Sequence, residues 1–206
     1  MEWISQHNLT LNVSKCKSLL ISRKHSPLNS QAVLIGGQPL EKVRAYKYLG
    51  ILINSDLSWS DHVANVCSNT RRHLGLLYRR FYKDAEAATL RVLYITHIRP
   101  HLEYATPVWD PHLVRDSEVL ESVQRFASKV CTKSWYDLSY QDRLRLLNLN
   151  SLKSRRHYLK LCYLYKVLNG LSYLLPRLTP ISLNYSSHHN TRSHELTLHV
   201  RFSHSL

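Results

Sequence analysis

The chain has 206 residues, 44% of them hydrophobic, which is enough to bury a core and excludes wholesale disorder. Twenty-eight Lys and Arg against 14 Asp and Glu give a formal net charge of +14, the electrostatic footprint of a polyanion binder. No apolar run approaches the ~20 residues of a membrane span, and no signal peptide is visible at the start.

The four cysteines, Cys16, Cys67, Cys131 and Cys162, form no CxxC pair. Their scatter argues against a zinc ribbon or a disulfide framework and fits buried thiols in a reducing compartment. An intracellular protein of nucleus or cytoplasm is expected, not a secreted one.

Short β-like runs come first: "SKCKSLLIS", "QAVLI" and "YKYLGILI". Gly36-Gly37 between apolar runs predicts a hairpin or tight loop. Asp56 follows the last of these runs, where a metal-dependent enzyme often keeps a ligand. It also follows Asn54-Ser55, and the only other acids in this section are Glu2 and Glu41, so a turn residue is the expectation. Past Trp59 the period becomes helical. Val63, Val66, Cys67, Thr70, Leu74, Leu77 and Phe81 share one helix face, with Asp61 placed to cap its start. Between Asp61 and Asp84 no acid occurs, yet Arg71, Arg72, Arg79, Arg80 and Lys83 do. Arg72, Arg79 and Lys83 lie opposite the apolar face and project as a row.

Asp84 opens the next candidate helix, which Pro100 should end or kink. Asp116 is placed to cap a third, whose apolar side is Val119, Leu120, Val123, Ala127, Val130 and Cys131, with Arg125, Lys129 and Lys133 as a second basic row. Ser139 and Asp142 form a capping box for a fourth. A fifth follows Ser151 and stops at Asn169-Gly170. On it Lys153, Arg156 and Lys160 share one side, close to Tyr163. From Leu171 onward the sequence reads as irregular.

A single basic row reads as a solvated helix face. Three rows with few compensating acids point to a polyanion, and such contacts hold a duplex without reading its sequence. Phosphate-cradling, GxSxG and HExxH motifs do not occur, nor does an adjacent Asp pair. His189, His194, His199 and His204 recur every five residues, a period that places them on no single helix or strand face. Read on its own residues, the chain binds a polyanion and shows no catalytic machinery.

The series "LTLNVSKCKSLLIS", "YKYLGILINSDLSWSDHV", "LRVLYITHIRPHLEYATPVWDP", "LESVQRFASKV" and "LKSRRHYLKLCYLYKVLNG" resembles the reverse transcriptases of LINE-type (non-LTR) retrotransposons, the jockey-like group above all. The resemblance implies an α+β fold: a small β-rich palm remnant at 1–58, a predominantly helical thumb and connection region at 59–175, and an irregular, truncated tail at 176–206. In that family the catalytic Asp residues lie upstream of the segment that "LTLNVSKCK" resembles. The chain is therefore expected to be a fragment of an RNA-directed DNA polymerase that is inactive alone and holds no cofactor, Mg²⁺ belonging to the intact parent.

Its implied partners are template–primer nucleic acid and the N-terminal palm and fingers of that parent, with no membrane. Lys15 matches a lysine near the leaving pyrophosphate and is a weak catalytic candidate. Leu49 and Gly50 match a hairpin that supports the primer end. Arg71, Arg72, Arg79, Arg80 and Lys83 fall on the following helix, where a thumb tracks duplex. Lys153, Arg156 and Lys160 complete the candidate contacts, while Tyr104 and Trp109 are expected to pack helix against helix. Two rival readings are a non-catalytic nucleic-acid-binding helical module and a non-functional pseudogene product.

Overall fold

The change of period at Trp59 is where strands give way to helices. The computed structural model describes residues 6–8, 11–22, 32–172, 181–184 and 197–200. The chain separates into two units, Met1–Leu159 and Lys160–Leu206.

In the first unit a 3₁₀ turn, Val13–Lys15, leads into β1 (Lys17–Leu19), so Lys15 ends a turn and does not sit in a strand. β1 pairs in parallel with β4 (Glu41–Val43), and the Lys17–Glu41 ion pair joins them. β2 (Leu34–Ile35) and β3 (Gln38–Pro39) pair antiparallel across Gly36-Gly37, as the glycine pair predicts. β5 (Ala45–Tyr48) and β6 (Ile51–Asn54) form a second hairpin whose turn is Leu49-Gly50. Both turn residues have positive φ, +46° and +86°, the backbone of a two-residue turn that matches strand twist.

The helices are α1 (Ser60–Phe81), α2 (Ala87–Leu93), α3 (Arg99–Glu103), α4 (Thr106–Trp109), α5 (Val114–Thr132), α6 (Tyr140–Leu146) and α7 (Leu152–Leu168). Between α2 and α3 the residues Tyr94–Ile98 take a π turn, with the Arg99 N–H bonded to the Tyr94 carbonyl. Pro100 explains it. Proline lacks an N–H and its ring crowds the carbonyl four residues back, so the helix widens there instead of ending.

The core runs through the helices: Val63, Cys67 and Leu74 of α1 meet Leu120, Val123 and Ala127 of α5, with Trp109 and Leu102 beside them. Fully burying a Val or Leu side chain here contributes about 1.5–3 kcal/mol. Phe81 and Val119, read as apolar-face residues, are exposed at 41% and 37%. Burial also pushes the Cys67 and Cys131 thiols up, to about 11 and about 12. The described cysteines are all free.

Buried polar groups are tied into networks. Gln124 accepts from the Tyr94 hydroxyl (2.7 Å) and donates to the Asn150 carbonyl (3.0 Å). Glu121 accepts from the Tyr140 hydroxyl and from the Leu152 and Lys153 N–H groups (both 3.3 Å), so its carboxylate caps the positive end of α7 from another helix.

Three expected caps are corrected. Asp61 lies inside the first turn of α1 and accepts from Asn54 Nδ2 (2.9 Å), while Asp116 is buried and accepts from Ser60 Oγ (2.7 Å). Glu86, not Asp84, precedes α2. Ser139 caps α6 as predicted, accepting from the Asp142 N–H at 3.2 Å.

In the second unit the remainder of α7 ends at Asn169-Gly170, with Gly170 at φ +67°. Where the sequence reads as irregular, β7 (Ile181–Asn184) and β8 (Thr197–Val200) pair antiparallel. The expectations for His189, His194 and His204 lie outside the described residues, as does the side chain of His199.

Candidate nucleic-acid interface

Two of the stretches that carry the resemblance, those containing "YLGILI" and "IRPHLEYATPVW", meet in space. Tyr104, at the end of α3, donates its hydroxyl to the Leu49 carbonyl at 3.0 Å. A Cβ added at Gly50 would stand 3.5 Å from the Tyr104 ring. The hairpin tip is thus seated on a tyrosine that is itself 57% exposed, while Leu49 projects its side chain into solvent. Tyr104 was expected to pack helix against helix; it packs against the hairpin instead.

Several residues of the second stretch have a structural reason. Pro100 sets the π turn and Leu102 enters the core. Glu103 is ion-paired to Arg155 and to Arg99 (3.5 Å). Ala105 turns the chain through a left-handed conformation, φ +52°. Trp109, fully buried, donates its indole N–H to the Tyr104 carbonyl at 2.7 Å. Its ring also meets His62 edge-on, with centroids 4.8 Å apart.

His62 in turn accepts from the Leu52 N–H at Nδ1 (3.2 Å), so α1 holds β6 from behind while Tyr104 holds its turn. That acceptor role places the ring proton on Nε2. Burial, and then the Lys47 charge, hold the imidazole below its ordinary pKa.

From α3 the surface continues onto α1. His101 and His73 are both exposed and their rings meet edge-to-face at 4.8 Å. His73 stands beside Arg72 on α1, where Arg71, Arg79 and Arg80 are also exposed; Lys83, expected on the same helix, is exposed two residues past its end at Phe81. Tyr104 thus touches the Leu49-Gly50 turn, and His101, one turn earlier, touches His73 on α1. Arg71 is partly committed, since it donates to Ser122 Oγ on α5 at 2.8 Å.

The other basic groups differ in their surroundings. Arg156 is corrected outright: it is 2% exposed, donating to Asp110 at 2.8 Å and to Ser117 Oγ at 2.6 Å. A helical wheel gave it an outward place because its partner is 46 residues away in sequence. Lys153 is exposed near the start of α7, and Lys160 is half-buried in the second unit. Of the α5 row, Arg125 pairs with Glu118 at 2.7 Å and Lys133 lies over the Tyr82 ring.

The acids beside the hairpin have local partners. Asp56 accepts from the Ser58 N–H at 2.9 Å, a turn contact as expected, and Asp61 is bound to Asn54. Among the described residues no three His, Cys, Asp or Glu side chains are grouped to hold a metal, and no helix is long and apolar enough to cross a membrane. Lys15 is exposed, and its role is untouched by these contacts.

Among curated proteins, the similarity falls in the class of transposon RNA-directed DNA polymerases. The relative is the probable RNA-directed DNA polymerase from transposon X-element of Drosophila melanogaster, 26% identical over 132 residues. The aligned part covers 60% of this chain and 14% of that protein, which supports an origin related to transposon reverse transcriptases. No family model and no solved structure matches the chain.

Proposed function

We propose that this chain is the thumb-side portion of a LINE-type RNA-directed DNA polymerase, with residues 1–58 as the end of the palm and 59–175 as the helical thumb and connection. It grips template–primer duplex and supplies no metal-binding carboxylates of its own. The observation that supports this reading most is the path from the Leu49-Gly50 turn, through Tyr104, His101 and His73, to the exposed cations of α1. A primer end at the turn and a duplex along α1 then lie on one surface. The cations neutralise phosphates, and the left-handed Gly50 lets a backbone come close. Lys153 is kept as a peripheral contact, Lys160 as a contact of the second unit by itself, and Lys15 as a group that acts only beside a complete palm.

The test is equilibrium binding of a labelled RNA–DNA hybrid as a function of salt. The wild-type chain should lose affinity steeply with salt. Replacing Arg72, Arg79 and Lys83 by Gln should lower the slope of log K against log salt by roughly 0.9 for each phosphate contact removed. An unchanged slope refutes the α1 interface. Incorporation of nucleotides on a primed RNA template with Mg²⁺ would refute the absence of catalytic carboxylates.

A second reading, a nucleic-acid-binding module acting without a polymerase, is favoured by a core drawn mainly from the helical region. Duplex binding that requires no primer end would favour it over the first.

A further inference from the structure

Nothing above gives His73 and His101 a task beyond contact. Two exposed imidazoles with ring centroids 4.8 Å apart form an arrangement in which the charge on one ring bears directly on the other. We propose that this pair is a proton-linked phosphate subsite: it binds one backbone phosphate of the duplex between the hairpin tip and the α1 cations, taking up protons as it does so. The inference rests on the duplex-binding reading and deepens it, adding a contact that neither helix's own sequence pattern displays.

The surroundings select an anion. On α1 the charged neighbours of His73 are Arg72 next to it and Arg80 seven residues on, both exposed. One turn before His73 stands Asn69, whose amide is bonded to Asn65. On the other side, His97 is one turn before His101, with Nδ1 against Thr96 Oγ1 at 2.7 Å, and Tyr104 is one turn after it. The single carboxylate of α3, Glu103, is held by Arg99 and Arg155. A divalent cation placed here would face Arg72 and Arg80, whereas a phosphodiester would be drawn in by the same charges.

The linkage follows from simple electrostatics. Histidine changes charge between about pH 5 and pH 8. A phosphate at the pair brings a negative charge that favours protonation of both rings, each donating an N–H to a phosphate oxygen. By reciprocity, lowering the pH must then strengthen phosphate binding as much as phosphate strengthens proton binding.

The test compares binding of the labelled RNA–DNA hybrid by the full chain at about pH 8 and about pH 6, at constant salt and with EDTA present so that a bridging metal cannot imitate the effect. Each protein is compared with itself. The wild-type chain should gain roughly tenfold in affinity at the lower pH, the scale of one net proton taken up across part of that range. The His73→Gln, His101→Gln double variant should lose most of that gain. His112→Gln, an exposed histidine outside this surface, should retain it. A wild-type chain with no gain, or a double variant that keeps it, overturns the subsite and leaves the α1 reading standing. Failure of the wild-type chain to bind in a salt-sensitive way at about pH 8 overturns that reading and the subsite together.

Discussion

The strands before Trp59 and the helices after it reach their order by different routes. Among the described residues before Trp59, only Ile51 and Asn54 are buried, and both belong to β6. Every helix from α1 to α7 places at least one residue in the interior. A two-stranded hairpin is marginal in water. β5 and β6 are therefore held by what grips them: His62 on the Leu52 N–H, Asp61 on Asn54, and Tyr104 on the turn. The helices supply most of the core themselves, with Ile51 added from β6. Within the first unit the helices form a body, and the β5–β6 hairpin is a tip mounted on it.

The largest test of that contrast strikes the body. Arg156→Met removes a guanidinium whose side chain is 3% exposed and deprives Asp110 of its ion-pair partner. Breaking a buried pair in this way costs about 3–5 kcal/mol. In urea denaturation, helix signal and strand signal should then move together to a lower midpoint. If the strands keep their own midpoint, the tip does not depend on the body and the contrast is wrong.

Acid tests the joint between the two. The folded pKa of His62 is lowered, so the unfolded chain takes the proton first. Above about pH 6.5 the residue contributes no pH dependence. Below it the unfolded state binds more protons, and stability falls with pH until the folded pKa is passed, by at most about 1.4 kcal/mol per pH unit. Protonated Nδ1 can no longer accept from the Leu52 N–H, so that amide should exchange faster as pH falls, after correction for intrinsic exchange. His62→Phe should remove this part of the pH dependence of stability.

Substituting the turn acts on the tip alone. Gly50→Val forces a β-branched residue into a left-handed conformation at φ +86°, at roughly 1–2 kcal/mol. Amide protection should fall along the Tyr46–Ile53 pairing while the denaturation of the helices barely changes. A comparable fall in helix stability would show the tip to be part of the body.

How much of this was legible in the sequence follows the same division. Local signals were readable: the switch at Trp59, the Gly36-Gly37 hairpin, the Ser139–Asp142 cap, the stop at Asn169-Gly170, and the buried α1 face from Val63 to Leu77. Each of them depends on neighbours within a few residues. What failed was decided at long range. Arg156 looked like a surface cation because Asp110 belongs to a different segment, and Asp116 looked like a cap because Ser60 does.

The candidate site divides likewise. The α1 row was visible as a period, and Leu49-Gly50 through the resemblance. The connection through Tyr104, His101 and His73 was not, because helix period carries no information about which other helix a residue will meet. Pro100 shows a third case. Its break was predicted, but a π turn met it within a continuing helical path.

The smallest test isolates the seat of the tip. Tyr104→Phe keeps the ring that lies against Gly50 and removes only the hydroxyl that donates to the Leu49 carbonyl. A hydrogen bond of this type is worth about 0.5–1.5 kcal/mol, and the lower end applies because water can replace the donor at a residue 57% exposed. Global stability should therefore change by no more than about 0.5 kcal/mol. The Ile51 amide, which closes the turn opposite Tyr48, should nonetheless lose protection, because its strand partner is no longer fixed from outside. Tyr104→Ala removes the ring as well and should enlarge the same local effect without extending it to the core around Trp109. Unchanged protection at Ile51 in both variants would mean that the hairpin holds its own turn, and that Tyr104 merely lies beside a tip ordered by His62.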